Sequence, residues 1–441
     1  MFRRTLVQSL LLLVLVSGCT NTNYKSASQK NTCIPIQDLA SIPQDPAYVA
    51  EFAPSAPELI KGGDVRSYNS FILSPWEKSA STVTPDTQRA FEYPLSDCYR
   101  ENLCKYTNPD FAESLKLNAN FGAINTAKAR GIVVSHANLR KMPTDFPCFY
   151  DSQSGGQGYP FDNLQNSLIY AGTPVFISHF SKDKAWALVE SPYSEAGFVK
   201  VSEIAIVDQQ AFDRVSNLDI AVISSDQVPL YSGTRQFWSY SRVGMVLFVE
   251  KDMNTYYKAL LPVRAENGFV SWHSINLSKQ ISSTDAMGFT SENLKKLINV
   301  LLSQHYGWGG YMVNRDCSSL VRDYFSVFRI PLPRNSFGQS KEGKVVDLAN
   351  MSLKAKRQAI IKHGVPFRTI LYRPGHIGIY LGYKDGKILM LQSVWGNHIR
   401  RAHGRNIIGR TVISSVEYGQ ELKEVDKESL FLNLVSSMSV L

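Results

Sequence analysis

Asp316-Cys-Ser-Ser-Leu-Val-Arg-Asp-Tyr-Phe-Ser-Val-Phe328 is the stretch that decides the fold. Leu320, Val321, Tyr324, Phe325 and Phe328 recur at helical spacing, and Pro331-Leu-Pro333 ends the run. Asp316 is a residue type that caps helix N-termini, so Cys317 falls in the first turn. There the backbone amides and the helix dipole favour a thiolate, and a depressed thiol pKa makes a nucleophile at neutral pH. Upstream, Leu294, Leu297, Ile298, Leu301 and Leu302 mark one face of an earlier helix, with Thr290 or Ser291 as its cap. A glycine-rich break, Tyr306-Gly-Trp-Gly-Gly310, separates the two helices. Downstream, Ile370-Leu371, His376-Ile-Gly-Ile-Tyr-Leu381 and Ile388-Leu-Met-Leu-Gln392 alternate as strands. Helices followed by an antiparallel sheet predict an α+β domain over residues 284–441. His376 opens one strand, where it can serve Cys317 as a base. Gln392, across the Lys384-Asp-Gly386 turn, is the polar candidate to hold its imidazole, with Met390 the apolar alternative two residues earlier.

The 441 residues carry 47 Lys and Arg against 38 Asp and Glu, with 44% hydrophobic residues. That excludes disorder and predicts several domains. The basic excess is concentrated at the end: residues 341–441 hold 16 Lys and Arg against 8 Asp and Glu. It reads as a solvated basic surface or as a field for an anionic partner. The tract Arg400-Arg401-Ala-His-Gly-Arg405 belongs to no recognisable nucleic-acid module, so no nucleic acid is expected. His305, His363, His398 and His403 lack ligand spacing, and no phosphate loop or dinucleotide fingerprint occurs. No metal or cofactor is expected.

The N-terminus has the form of an export signal, with Arg3 and Arg4 before an apolar run from Leu6 to Val16 too short to span a bilayer comfortably. Val16-Ser17-Gly18-Cys19 resembles the lipobox of bacterial lipoproteins, which implies cleavage after residue 18 and lipidation of Cys19. Residues 19–32 then read as a flexible tether. Thr20 after the cysteine implies an outer-membrane anchor facing the periplasm, if the host is Gram-negative. In that oxidising compartment Cys33, Cys98, Cys104 and Cys148 are able to pair, and Cys98 with Cys104 is the expected bond.

Residues 33–120 read as a helical and irregular N-terminal domain. Residues 121–208 and 209–283 each show short strands and turns at regular spacing, as small β-barrels do. Gly197-Phe-Val and Gly268-Phe-Val close the two units as related repeats. Both resemble bacterial SH3-like barrels. Their aromatics Trp186, Trp238, Tyr240 and Trp272 are either barrel core or a ligand groove.

Tyr306-Gly-Trp-Gly-Gly310, Asp316-Cys-Ser-Ser319, Leu332-Pro-Arg-Asn-Ser336 and Gly375-His-Ile-Gly-Ile-Tyr-Leu-Gly382 together resemble the NlpC-type cell-wall cysteine peptidases, in order and spacing. The resemblance implies a multidomain α+β protein: a helical N-terminal region, two SH3-like barrels and a papain-like catalytic domain. It assigns Cys317 as nucleophile, His376 as general base and then acid, and Gln392 as the third group. Gln392→Ala is expected to cost less rate than loss of Cys317 or His376, because a neutral amide orients an imidazolium without countering its charge. Tyr306, Asp316 and Ser318 match cleft-lining positions. Asp316 is expected to meet the ammonium of a free N-terminal L-Ala, to cap the helix, or both; Arg334 is either structural or a carboxylate partner. The implied reaction is hydrolysis of the γ-D-glutamyl–diamino acid amide in peptidoglycan stem peptides. The alternatives are a catalytically silent peptidoglycan-binding lipoprotein and an acyltransferase or amidase on the same fold.

Overall fold

The strands read around His376 and Gln392 form a six-stranded antiparallel sheet in the computed structural model of the protein, which describes residues 35–84, 97–151, 157–232, 236–399 and 405–441. Across the sheet the order is Lys344–Asp347, Ser437–Val440, Thr369–Arg373, His376–Lys384, Lys387–His398 and Arg405–Ser415. The helix Cys317–Ser326 packs on the His376–Lys384 strand. All ten of its residues are buried, including Arg322 and Asp323. Periodicity predicts one apolar face, but the opposite face is covered too, and its charges neutralise one another. The preceding helix, Ser291–Leu301, behaves as its spacing predicts: Thr290 Oγ1 accepts from the Asn293 amide, and Leu294, Leu297, Ile298 and Leu301 are buried.

Two β units precede this domain. In the first, seven strands between Ala129 and Ile206 form one antiparallel sheet, with Phe198 of Gly197-Phe-Val fully buried. In the second, five strands between Asp219 and Ser283 form a sheet, beside a two-stranded ribbon of Pro229–Tyr231 and Phe237–Tyr240. Gly268-Phe-Val is not its closing strand. Gly268 lies in a turn, Phe269 is 37% exposed, and Val270 begins a nine-residue edge strand. The three-residue match therefore marks different places in the two units. Trp186 is core, while Trp238 and Trp272 donate to the Pro262 and Ala211 carbonyls. Tyr240 stays exposed.

The N-terminal residues make no core of their own. Helices Pro46–Val49 and Val65–Leu73 are too short to bury a face unaided. Ile42, Val49, Tyr68, Ile72 and Trp76 instead join one core with Val222, Phe248, Leu297, Phe325 and Ile379. Polar clips complete this strap: Asp38 accepts from Lys387 and the Ser415 amide, and Arg368 donates to the Leu59 and Lys61 carbonyls.

The disulfide differs from the expected one: Cys98 bonds to Cys148, and Cys104 is free and exposed. Tyr99 exchanges both backbone hydrogen bonds with Phe149, which brings the cysteines before them to a Cα separation of 4.8 Å. Closeness in sequence is overruled because the Arg100–Cys104 turn directs Cys104 outward. The signal sequence, Cys19, Cys33, Arg400 and Arg401 lie outside the described residues.

Candidate active site

The nucleophile helix begins with a reciprocal cap. Asp316 Oδ1 accepts from the Ser319 amide at 2.8 Å, and Ser319 Oγ accepts from the Asp316 amide at 2.9 Å. This places Cys317 at the first helical position, 8% exposed, where the Ile377 and Ser318 amides favour its charged form. His376 is 5% exposed at the start of its strand. Its Nε2 donates to Gln392 Oε1 at 2.6 Å. Gln392 Nε2 in turn donates to Ser414 Oγ at 2.7 Å, and Ser414 donates to the Ser415 carbonyl. This chain orients the amide and puts the proton on Nε2, leaving Nδ1 as the basic nitrogen. Met390 instead lies in the apolar core with Leu371 and Tyr380. Tyr418, which the sequence did not mark, has a buried hydroxyl on which Gln392 and Cys317 both act.

Burial pushes the Cys317 thiol up to about 12, and the Asp316 charge adds to this. Burial, then the Arg373 charge, takes the His376 imidazole down to about 4. Both shifts favour the neutral forms, opposite in direction to the thiolate expected from the helix dipole. Removing a small anion from water costs more than two amides and a half-charge return.

Asp316 has little capacity left for a ligand. Its carboxylate also accepts from Arg334 Nη2 at 2.6 Å, the Gly309 amide at 3.1 Å and Ser318 Oγ at 3.4 Å. The capping role is the one present in the structure. Arg334 is structural as well, since it spans Asp316, Ser318 and Ser167 of the first β unit.

A cleft of about 260 Å³ opens onto Cys317. Tyr306, Asp316, Ser318 and Gly375 line it from the catalytic domain, and Lys141, Asn163, Asn166 and Glu195 from the first β unit. Burial raises the Tyr306 hydroxyl well above its ordinary range, with the nearby Cys317 adding, so it remains a neutral donor. Glu195 was missed by the sequence reading, and nothing local marks it. Its Oε2 is buried without a hydrogen-bond partner. Burial lifts its carboxyl to about 7 despite the opposing charges of Arg334 and Arg322. The cleft depends on a close approach that the glycine break permits. Gly309 and Gly310 hold φ values of +57° and +86°, and a Cβ on Gly310 would lie 2.3 Å from the Leu168 Cβ. Gln165 Nε2 bonds the Gly309 carbonyl, and Trp308 Nε1 bonds the Asp162 carbonyl.

Beneath the helix start lies a buried charge cluster. Arg315 donates to Asp226 and Gln304 and, through Nε, to Asp323 at 2.6 Å. Asp323 also accepts from Tyr170 of the first unit and from Arg322. Arg242 of the second unit completes the group at 3.4 Å from Asp226. Among the described residues no group of three His, Cys, Asp or Glu side chains is placed to hold a metal ion.

A buried cysteine thus starts the helix that packs on the strand opened by His376, whose imidazole is held by Gln392 from the next strand of an α+β domain. Residues 303–414 match the NlpC/P60 family, and residues 147–200 match the SH3 domain of SH3b1 type. The chain thus carries a domain that matches the NlpC/P60 family and one that matches the SH3b type. A solved NlpC/P60 endopeptidase from Photobacterium damselae subsp. piscicida superposes with a TM-score of 0.77 at 24% identity, covering 93% of this chain and 98% of that one. That likeness shows the whole multidomain fold. An NlpC/P60 family protein from Bacillus cereus ATCC 10987 is 15% identical over 70% of this chain and 99% of its own, with a TM-score of 0.47. No curated protein matches the chain.

Proposed function

We propose that the protein is a thiol peptidase that hydrolyses the γ-D-glutamyl–diamino acid amide of peptidoglycan stem peptides, preferring those with a free N-terminal L-Ala. The observation that carries this reading is Cys317 in the lining of a narrow cleft with Glu195 on its wall, at the start of the helix that packs on the strand opened by the Gln392-bound His376. Cys317 gives its proton to His376 Nδ1 as sulfur attacks the γ-carbonyl carbon, and the Cys317 amide faces the developing oxyanion. The imidazolium passes that proton to the leaving amine as the C–N bond breaks. A water molecule then gives a proton to His376 and attacks the thioester, and the thiol leaves reprotonated.

Asp316 is occupied by Arg334, so the ammonium partner in this proposal is Glu195, the cleft carboxylate with an unmatched oxygen. A cleft of about 260 Å³ suits a dipeptide-sized acyl group and not a glycan-bearing strand. Anchoring through lipidated Cys19, with the body in the bacterial envelope, belongs to the same proposal; an acylated Cys19 peptide in the mass spectrum of the mature protein checks it.

Incubating the protein from residue 20 onward with L-Ala-γ-D-Glu-diaminopimelate and its N-acetylated form tests the reaction. The expected result is release of L-Ala-D-Glu from the free peptide only, abolished by Cys317→Ala. No Cys317-dependent product from either peptide would sink the reading.

A further inference from the structure

In the reading above His376 gives its proton to the leaving amine, and two cations stand near it outside the cleft lining. Arg373 is the cross-strand partner of His376, and Arg405 opens the strand that pairs with the Gln392 strand. After burial, it is Arg373 and then Arg405 that oppose a positive charge on His376, while Gln392 and Asp316 favour it. The two arginines also act on one another, because burial and then the Arg373 charge oppose the charge of Arg405.

Neighbouring guanidiniums at a half-buried site ordinarily share an acid. Among the described residues neither makes an ion pair. Arg373 Nη1 reaches only the Ser429 carbonyl, at 3.3 Å. The Nε atoms of both arginines are buried and have no partner. The carboxylate that acts on His376, Asp316, is committed to Arg334 and the helix cap. The other neighbours of the imidazole are Gln392 and the Phe431 ring, which stands edge-on to it at 5.8 Å. The fold therefore holds two arginines with unmatched Nε–H groups beside the group that must become an imidazolium. An anion lying between them satisfies the orphaned Nε–H groups and removes the repulsion felt by that imidazolium.

The geometry points to Arg373 and Arg405 as a carboxylate subsite for the leaving fragment, taking a free carboxylate of the amino acid whose amine is released. This rests on the peptidase reading above and adds which leaving fragments that site selects. Uncharged or amidated fragments leave the pair unmatched and are disfavoured.

The test compares L-Ala-γ-D-Glu-L-Lys bearing a free C-terminal carboxylate with its C-terminal amide, in the wild type and in Arg373→Gln and Arg405→Gln. The wild type is expected to favour the acid in kcat/KM by roughly 10- to 100-fold, as a charge-assisted pair allows. In each arginine variant that ratio falls to within about twofold of unity, because the acid loses its advantage. Equal use of acid and amide by the wild type overturns the subsite while leaving the peptidase reading intact. Retention of the full ratio in both variants does the same. Cleavage of neither peptide defeats the peptidase reading, and the subsite with it.

Discussion

The first β unit sends Lys141, Asn163, Asn166 and Glu195 into the cleft beside Cys317, whereas the second contributes none of the cleft's lining residues. The second reaches the nucleophile from below instead. Asp226 and Arg242 meet Arg315, the residue immediately before the capping Asp316. Two small antiparallel sheets adjacent in sequence thus have separate tasks, and the difference lies in which polar side chains each turns toward the catalytic domain. In the first, Glu195 Oε2 is a buried carboxylate oxygen without a partner in the cleft wall, while in the second two nitrogens of Arg242 lack one. The salt-bridged Asp226–Arg315–Asp323 group at the second, with every carboxylate paired, marks a joint.

Breaking that joint is expected to have the largest effect on stability. Asp226→Asn removes the acid that holds Arg315, whose side chain is 1% exposed, and should cost about 3–5 kcal/mol in urea denaturation. The KM of the residual folded enzyme should stay unchanged, since no ligand contact is lost. A smaller loss, about 1–3 kcal/mol, is expected for Gly310→Ala. There the added methyl meets Leu168 and the positive φ disfavours a side chain. Unlike Asp226→Asn, this variant should raise KM, because it moves the cleft wall.

Glu195→Gln should leave the melting temperature close to wild type and raise KM for free-amine stem peptides by roughly 100-fold, about 2.7 kcal/mol. The pH dependence follows from the raised carboxyl. The acid is protonated below about 7 and charged above it. Wild-type affinity for the ammonium should therefore fall as pH drops from 8 to 6, and Glu195→Gln should flatten that limb. A KM that ignores both pH and the substitution would remove Glu195 from the site. The smallest effect is expected on the exposed ribbon of the second unit. Phe237→Ala and Tyr240→Ala, remote from the cleft lining, should leave peptide cleavage within about twofold of wild type in steady-state assays.

The catalytic domain was the most legible part of the chain, because its signals are local. Helix period, a capping aspartate and strand alternation placed Cys317, His376 and Gln392 on the elements where the structure has them. Gly309 and Gly310 were visible as a break, although their purpose, admitting Gln165 and Leu168, was not. Apart from Gly268-Phe-Val, where a local turn was read as a closing strand, the departures involved long-range partners. Cys98 was matched to its neighbour Cys104 because sequence distance was the only distance available. The thiol was expected to be depressed because the dipole of its own helix can be read locally, whereas burial by other elements cannot. Ile42, Val49, Tyr68, Ile72 and Trp76 join a core shared with both β units and the helices and sheet that follow, a partnership no local signal shows.

The sequence by itself determined which elements form and which side chain stands at the start of each, since both depend on residues within one or two turns. Tertiary structure alone decided what each charge meets. Arg334 spends Asp316, Asp226 holds Arg315, and Glu195, Arg373 and Arg405 keep polar atoms unmatched. Electrostatic roles depend on distance and dehydration across contacts between separate elements, and these exist only after the chain has folded.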